Sequence, residues 1–216
     1  MGRAIIQLPL PQFSSNVSLE ETILRRRSVR RYCAEALLLS QLSQILWSAQ
    51  GITGGRMFRA APSAGATYPL EIVVFVGRQG VIASEVPMQS GQAPEALQAG
   101  IYRYEADSHS LSLHKLGDLR PDLAGAALDQ EFIIEAPVDI VICALYHRTS
   151  SRYGRRGERY VHIEVGHVSE NIHLQTIALG LATVEVGAFH DEEVREILGM
   201  EERVRPLYIM PLGKPL

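Results

Sequence analysis

The chain is predicted to be a mixed α and β domain whose central sheet is covered by helices on both faces. The β-branched runs at residues 70–77 and 138–147 have few polar interruptions, which is typical of buried strands. Helical patterns alternate with these runs, and the longest covers residues 158–180. Because 216 residues of ordinary globular composition suffice for one packed domain, we expect an extended arm over 1–17 and a single domain over 18–216.

Two helices are predicted to begin the domain. Residues 18–27 start at Ser18, which has capping-box spacing to Glu21. The apolar side of this helix consists of Leu19, Ile23 and Leu24. Residues 40–51 repeat apolar side chains at helical spacing, and Gly51 suits the C-terminal end of the second helix.

The later elements alternate between strands and helices. Residues 100–116 alternate in polarity on both sides of a turn-rich centre, which predicts a β-hairpin. The elements expected after it are a helical segment at 120–137 with Pro121 in its first turn, a strand at 138–147, a long helix at 158–180, a strand at 182–189, a helix at 191–199 and a last strand at 205–213.

Composition limits the function classes. No apolar run approaches the 18 residues of a membrane span, and the N-terminus lacks the features of a signal peptide. Cys33 and Cys143 have neither CxxC nor metal-type spacing, which indicates a reduced, cytoplasmic protein. The formal net charge of −3 argues against a general nucleic-acid surface, so we expect no nucleic-acid partner and no membrane.

A cluster of arginines stands out within this mildly acidic chain. Residues 25–32 read RRRSVRRY and contain five arginines. Guanidinium groups beside a small hydroxyl suit a phosphate, because each offers planar paired donors and keeps its charge. A solvated helix end, where cations complement the helix dipole, explains the cluster equally well, and a nucleic-acid patch is a third interpretation.

Two small-residue segments could approach a flat or anionic ligand closely. Residues 61–69, APSAGATYP, precede a strand and fit neither a phosphate-binding loop nor a dinucleotide fingerprint. Residues 180–189, GLATVEVGAF, join the long helix to a strand and could leave room for a ring system. A plain loop and simple helix–strand packing are the respective alternatives.

Other catalytic motifs are weak in this sequence, and we expect no metal site. His162 and His167 lie five positions apart, about 140° around a helix axis, so they do not face one ion. No serine occupies a nucleophile elbow. Residues 151–160, SRYGRRGERY, are basic and aromatic and could contact a substrate, although an exposed loop is the simpler interpretation.

The order of these motifs is more specific than any one of them. RRRSVRRY, LSQILWSAQGIT, APSAGATYPLEIVVFV, RYVHIEVGHVSENIHLQTIALGL, VGAF and PLGKP together resemble the nitroreductase family of flavoproteins, from about residue 18 to the C-terminus. The branch that looks most similar contains the SagB-type, thiazole- and oxazole-forming peptide dehydrogenases. The resemblance implies an α+β, nitroreductase-like fold with a mainly antiparallel sheet, completed by homodimerisation, with FMN bound noncovalently at the subunit interface.

The resemblance also implies which residues contact FMN. The phosphate-and-ribityl motif matches Arg26, Arg27, Ser28 and Arg30, and the segment that reaches the flavin of the other subunit matches Pro62, Ser63 and Ala64, followed by Gly65. Gly187 and Ala188 match the strand end near the reactive edge of the ring. The remaining implied positions are Gly213 and Lys214 near the phosphate, and Glu164 at the opening of the long helix.

The implied activity is hydride transfer through FMN from NAD(P)H or another donor to a nitroaromatic, a quinone or a similar small acceptor. In the peptide-oxidising branch a Lys-Tyr pair takes part in proton transfer, and the matching place here reads Arg152-Tyr153. Arginine stays protonated and is a poor base, which leaves Tyr153 as the candidate catalytic residue. Oxidation of azoline rings in a modified peptide and flavin binding without turnover are the alternatives.

Overall fold

The structure is a computed structural model that describes residues 4–55, 58–83 and 95–216. The strands among these residues are β1 (Ile5–Gln7), β2 (Leu37–Leu38), β3 (Ile52–Gly54), β4 (Phe58–Arg59), β5 (Leu70–Val76), β6 (Val81–Ile82), β7 (Gly100–Glu105), β8 (Ser110–Leu116), β9 (Val138–Ala144), β10 (Ala182–Thr183) and β11 (Arg205–Gly213). The α-helices are α1 (Leu19–Arg25), α2 (Leu39–Gln50), α3 (Arg120–Ala126), α4 (Phe132–Glu135), α5 (His147–Tyr153), α6 (Arg156–Ala178) and α7 (Asp191–Leu198).

Seven strands form the main sheet in the order β1-β8-β7-β5-β9-β11-β10. Every neighbouring pair in it is antiparallel, which confirms the predicted sheet type. β5 and β9 lie at its centre and pair from Leu70 opposite Ala144 to Val76 opposite Val138. Their side chains are almost all buried, because both faces of the central strands are covered.

Helices pack on both faces of the sheet, as predicted. One core contains Val74 and Ile140 of the sheet together with apolar residues of α2 and α6. The other contains Val73, Val141 and Cys143 together with apolar residues of α3, α4 and α7. Burial raises the pKa of the Cys143 thiol, so this cysteine is a packed core residue. No helix among the described residues is both long and apolar enough to cross a membrane.

Helix α1 begins at its predicted cap but leaves its apolar side uncovered. The Ser18 hydroxyl accepts a hydrogen bond from the Glu21 N–H at 3.1 Å. Leu19, Ile23 and Leu24 are 61%, 56% and 73% exposed. The helix therefore presents a contiguous apolar surface outside the core of its own chain.

Four predicted elements differ from the structure. The helical segment predicted at 120–137 is divided into α3, which ends at Ala126, and α4, which begins at Phe132, because Leu128 and Asp129 between them have positive φ. Residues 151–160 are not a loop, because α5 ends at Tyr153 and α6 starts at Arg156; Gly154, with φ of 56°, allows the sharp break between the two helices. The strand predicted over 182–189 pairs regularly only at Ala182–Thr183, and Val186 adds one isolated bridge to Ile209. The N-terminal stretch supplies β1, which pairs with β8 as an edge strand of the sheet.

Candidate functional site

The arginine loop, defined as residues 26–30, follows α1 and is held by its backbone. The Val29 N–H donates to the Thr183 carbonyl of β10 at 3.1 Å. The Val29 carbonyl accepts from the Tyr32 hydroxyl at 2.6 Å. The loop is therefore fixed against the end of the main sheet while its side chains face outward.

The cations of the arginine loop form no ion pair within 4.0 Å among the described residues, although the charge of Arg26 acts on Glu185 from farther away. Arg25 lies just before the loop and forms an ion pair with Glu21 at 2.9 Å. Arg27 and Arg30 are exposed and Arg26 is half-buried, but none of the three lies within 4.0 Å of a described carboxylate. The Arg27 guanidinium donates instead to backbone carbonyls, and Ser28 is exposed between these cations. The arrangement suits a small anion that carries more than one charge.

The C-terminal segment runs beside the arginine loop, but its candidate residues have other partners. The Cys33 N–H donates to the Lys214 carbonyl at 2.9 Å. The Lys214 ammonium pairs with both carboxylate oxygens of Glu35, at 3.0 and 2.9 Å. A Cβ on Gly213 would lie 2.9 Å from the Tyr32 ring and 3.1 Å from Pro137, so close packing already requires a glycine there.

A buried histidine lies beneath the arginine loop. The His173 side chain on α6 is 0% exposed, and its Nδ1 lies 2.9 Å from a carboxylate oxygen of Glu185. Its Nε2 lies 3.1 Å from the Arg27 carbonyl. The sequence interpretation missed this role because a histidine at the border of an apolar helical stripe is more often an ordinary core residue. No local motif identifies its long-range partners.

Gly187 and Ala188 follow Glu185 and are exposed. A Cβ on Gly187 would lie 3.3 Å from the Tyr208 ring. The Ala188 carbonyl accepts from the Gln130 side-chain amide at 3.1 Å. The arginine loop, His173, Glu185 and these two small residues thus form one connected region, which we call the loop cluster.

A second region, the turn cluster, contains Pro62, Ser63, Ala64, Gly65, Arg152, Tyr153 and Glu164. Gly65 has φ of 60° inside the short 3₁₀ turn Ala64–Ala66. Its carbonyl accepts from the Arg152 guanidinium at 3.0 Å. A Cβ on Gly65 would lie 2.5 Å from the Tyr153 hydroxyl. The end of α5 therefore packs directly against this turn, which the sequence interpretation did not anticipate.

Glu164 of α6 is the buried acid of the turn cluster. Burial raises its pKa to about 7, although the hydrogen-bonding groups of Ser63 and Gln50 and the charge of Arg59 act in the opposite direction. Its Oε1 atom has no hydrogen-bond partner of acceptable geometry among the described residues, nor does Nε2 of Gln50. A carboxyl group in this setting can take up or release a proton near neutral pH.

The two clusters lie on opposite flanks of α6. Glu164 and His173 are nine positions apart. This spacing corresponds to about 180° around the helix axis and about 13 Å along it. The structure therefore brings the predicted residues together in two groups rather than in one continuous site.

The profile of the Nitroreductase family matches residues 23–214. The chain belongs to this family. A protein of Methanocaldococcus jannaschii that carries the provisional name nitroreductase MJ1384 is 44% identical over 211 residues, which cover 98% of each chain.

Solved structures of the family share the fold. The crystal structure of a protein from Ralstonia eutropha, provisionally described as a nitroreductase, superimposes with a TM-score of 0.81 at 27% identity. The match covers 98% of this chain and 90% of that one. The Escherichia coli microcin synthetase McbBCD complex matches with a TM-score of 0.74 at 23% identity, over 97% of this chain and 77% of that one. At that identity the second match supports the fold alone.

Proposed function

We propose that this member of the Nitroreductase family is an FMN-dependent oxidoreductase. NAD(P)H or another donor delivers a hydride to the flavin, and a nitroaromatic, a quinone or a similar small acceptor takes the electrons. The observation that carries the proposal is the arginine loop, whose three guanidinium groups form no ion pair within 4.0 Å among the described residues. A pocket for a phosphate monoester needs this combination of charge and directional donors.

The residues at the other end of the loop cluster also fit FMN. Gly187 and Ala188 are exposed and small, so they leave room for a flat ring beside their backbone. FMN supplies the hydride chemistry when bound, which is why the chain needs neither a nucleophile nor a metal for that step. The protein would bind and orient the ring and hold the phosphate.

We extend the proposal to a homodimer in which each chain contributes to both cofactor sites. The turn cluster lies about 180° around α6 from the loop cluster, so Pro62, Ser63, Ala64 and Gly65 lie across the helix from the arginine loop of their own chain. Leu19, Ile23 and Leu24 offer an exposed apolar surface for pairing with a second copy. Pairing brings the turn cluster of one protomer to the flavin of its partner and buries that surface.

A second candidate function is the oxidation of azoline rings in a modified peptide. It is favoured by one observation, namely that the Tyr153 hydroxyl lies directly over the backbone of Gly65. The Arg152 guanidinium beside it is held by the Gly65 carbonyl and stays protonated, so Tyr153 is the proton-transferring group under this alternative. The microcin synthetase complex shares the fold, which permits this chemistry without favouring it.

The decisive experiment is anaerobic reduction of the purified protein. We expect a yellow protein whose flavin, released by denaturation, is FMN at about one per chain. NADH, NADPH or an azoline peptide is offered as the electron donor, and the one that is used should bleach the flavin band. A panel of nitro and quinone acceptors, or oxygen under the peptide alternative, should then restore the band selectively. Bound flavin that no donor reduces would indicate a flavin-binding protein without turnover, and a colourless protein that takes up no FMN would refute the proposal.

A further inference from the structure

His173 connects the arginine loop to the strand end that carries Gly187. The ring is fully buried, with one nitrogen on the Arg27 carbonyl at 3.1 Å and the other on the Glu185 carboxylate at 2.9 Å. Glu185 lies two positions before Gly187. The His173 side chain thus contacts both the backbone of the arginine loop and Glu185, which precedes Gly187 at the other end of the loop cluster.

Both ring nitrogens of His173 lie against oxygen atoms. A carbonyl oxygen only accepts hydrogen bonds, and so does an ionised carboxylate. Burial raises the pKa of Glu185, but the hydrogen bond and charge of His173, the Glu185 backbone N–H and the charge of Arg26 outweigh this and leave it below its usual value. Both partners of His173 are therefore hydrogen-bond acceptors, and one of them is the carboxylate of Glu185.

The charged groups around this pair favour an ion pair over a metal. Glu170 on the same helix is exposed, and one of its carboxylate oxygens lies within 4.8 Å of ligand-type atoms of His173 and Glu185. On the arginine-loop side the charge of Arg26 acts on Glu185, and Tyr32 feels the charge of Glu185 as well. The positive charge of Arg26 disfavours a metal ion at Glu185, and both ring nitrogens of His173 already lie within hydrogen-bond distance of protein oxygens.

We propose that His173, paired with Glu185, is a positioning residue that holds the Arg27 backbone and thereby sets the affinity of the arginine loop for a phosphate monoester. The proposal rests on the proposed function, because it assumes that FMN phosphate binds at this loop. The Val29 contacts with Thr183 and Tyr32 fix the middle of the loop, and His173 fixes the part that presents Arg26 and Arg27. Without His173 the guanidinium groups remain but lose their fixed orientation.

The test compares two amide substitutions at this position. In His173→Gln the longer amide places a donor near the position of Nε2, so the bond to the Arg27 carbonyl can persist. In His173→Asn the shorter amide reaches only the position of Nδ1, so Glu185 keeps a partner and the Arg27 carbonyl loses its donor. His167→Gln is the matched control, because His167 is an exposed histidine on the same helix.

The readout is the equilibrium affinity of the flavin-free full chain for FMN and for riboflavin, which lacks the phosphate. The ratio of the two affinities reports phosphate recognition alone, and a general loss of fold does not change it selectively. We expect His173→Asn to lower the ratio about tenfold, as for one lost hydrogen bond to a positioned group. We expect His173→Gln to stay within about threefold of the wild type and His167→Gln to match it.

The positioning role would be overturned if His173→Asn and His173→Gln had equal ratios of FMN to riboflavin affinity. It would also be overturned if His173→Asn lost affinity for FMN and riboflavin equally. A wild-type ratio that changes when EDTA or zinc is added would overturn it as well, since that result would assign the pair to a metal. Failure of the proposed function is a separate outcome: the wild-type chain would then bind FMN no more tightly than riboflavin. Thermal unfolding of each variant confirms that it is folded during the measurement.

Discussion

The arginine loop and the turn cluster differ in the state of their charged groups. The loop holds three guanidinium groups on or near the surface without a described carboxylate partner, whereas the turn cluster buries the single carboxyl group of Glu164. Exposed cations keep their charge and attract an anion, while a buried acid changes its charge at a moderate pH. The arginine loop is therefore suited to binding an anion. Glu164 of the turn cluster is suited to exchanging a proton, or to changing its charge when another group covers it.

The largest expected effect comes from removing the charges of the loop. The double substitution Arg26→Ala and Arg30→Ala should weaken FMN binding about 100-fold or more, because each charged hydrogen bond contributes about 1.5–3 kcal/mol. Affinity is measured by flavin fluorescence on the flavin-free chain. Arg31→Ala is the control, since Arg31 is exposed and lies outside the arginine loop. Stoichiometric FMN retained by the double variant would show that the loop is a solvated helix end.

Replacing the buried acid tests the turn cluster. The pKa of Glu164 is raised from 4.5 to about 7 in the folded chain. Between these two pH values the folded chain binds a proton that the unfolded chain does not. The stability of the fold therefore falls as the pH rises from 4.5 to about 7. Glu164→Gln should remove this dependence and raise the free energy of unfolding at pH 8 by on the order of 2 kcal/mol. Urea denaturation at pH 5 and pH 8 measures the change.

The control for this experiment is Glu196→Gln, which alters an exposed acid on α7. It should leave the pH dependence of stability unchanged. A variant Glu164→Gln that loses stability equally at pH 5 and pH 8 would contradict a neutral, buried carboxyl group.

Enlarging Gly187 tests the ring end of the loop cluster. Gly187→Val should slow flavin reduction about tenfold by crowding the ring, while the fold survives because the nearest atom to the added Cβ belongs to the Tyr208 side chain at 3.3 Å. Gly125→Val is the control, since a Cβ there meets nothing within 4 Å. Stopped-flow bleaching with the preferred donor measures the rate. An unchanged rate would show that the flavin ring does not lie beside Gly187.

The smallest effect is expected at Tyr153. If the natural acceptor is a nitro compound or a quinone, Tyr153→Phe should change steady-state turnover less than twofold, because the phenyl ring keeps its edge-on packing against Tyr160 at 5.1 Å. Turnover with an azoline peptide is measured in parallel. A 100-fold loss of turnover with the azoline peptide, together with normal quinone reduction, would favour the peptide dehydrogenase and assign proton transfer to Tyr153.

Much of the fold follows from local patterns, and the exceptions have identifiable causes. The runs at 70–77 and 138–147 are β-branched enough to be recognised as central strands, and Ser18 marks the start of α1. The segment 151–160 misled the interpretation because Gly154 and charged side chains resemble a loop, although helices flank the glycine. Residues 184–189 contain β-formers, yet only Val186 makes a bridge to β11.

The candidate site likewise contains residues that the sequence indicated and contacts that only the structure revealed. Arg26, Arg27, Ser28, Arg30 and the small residues at 62–65 and 187–188 carry a recognisable order along the chain, so their grouping as cofactor contacts is a prediction that the sequence supports. The link between His173, Glu185 and the Arg27 carbonyl joins positions up to 158 residues apart, and no periodicity indicates it. The nine-residue spacing already places Glu164 and His173 on opposite sides of α6, but the segments that cover each of them are decided by the tertiary structure.

Residue types and their spacing were sufficient to determine the fold class, the central strands and the cap of α1, because those properties depend on near neighbours in the chain. Folding decided that Lys214 pairs with Glu35, that Gly213 is required for packing, and that His173 lies beneath the arginine loop. These contacts join distant segments, and their energies depend on burial and hydrogen-bond geometry that exist only once the sheet and α6 have packed together.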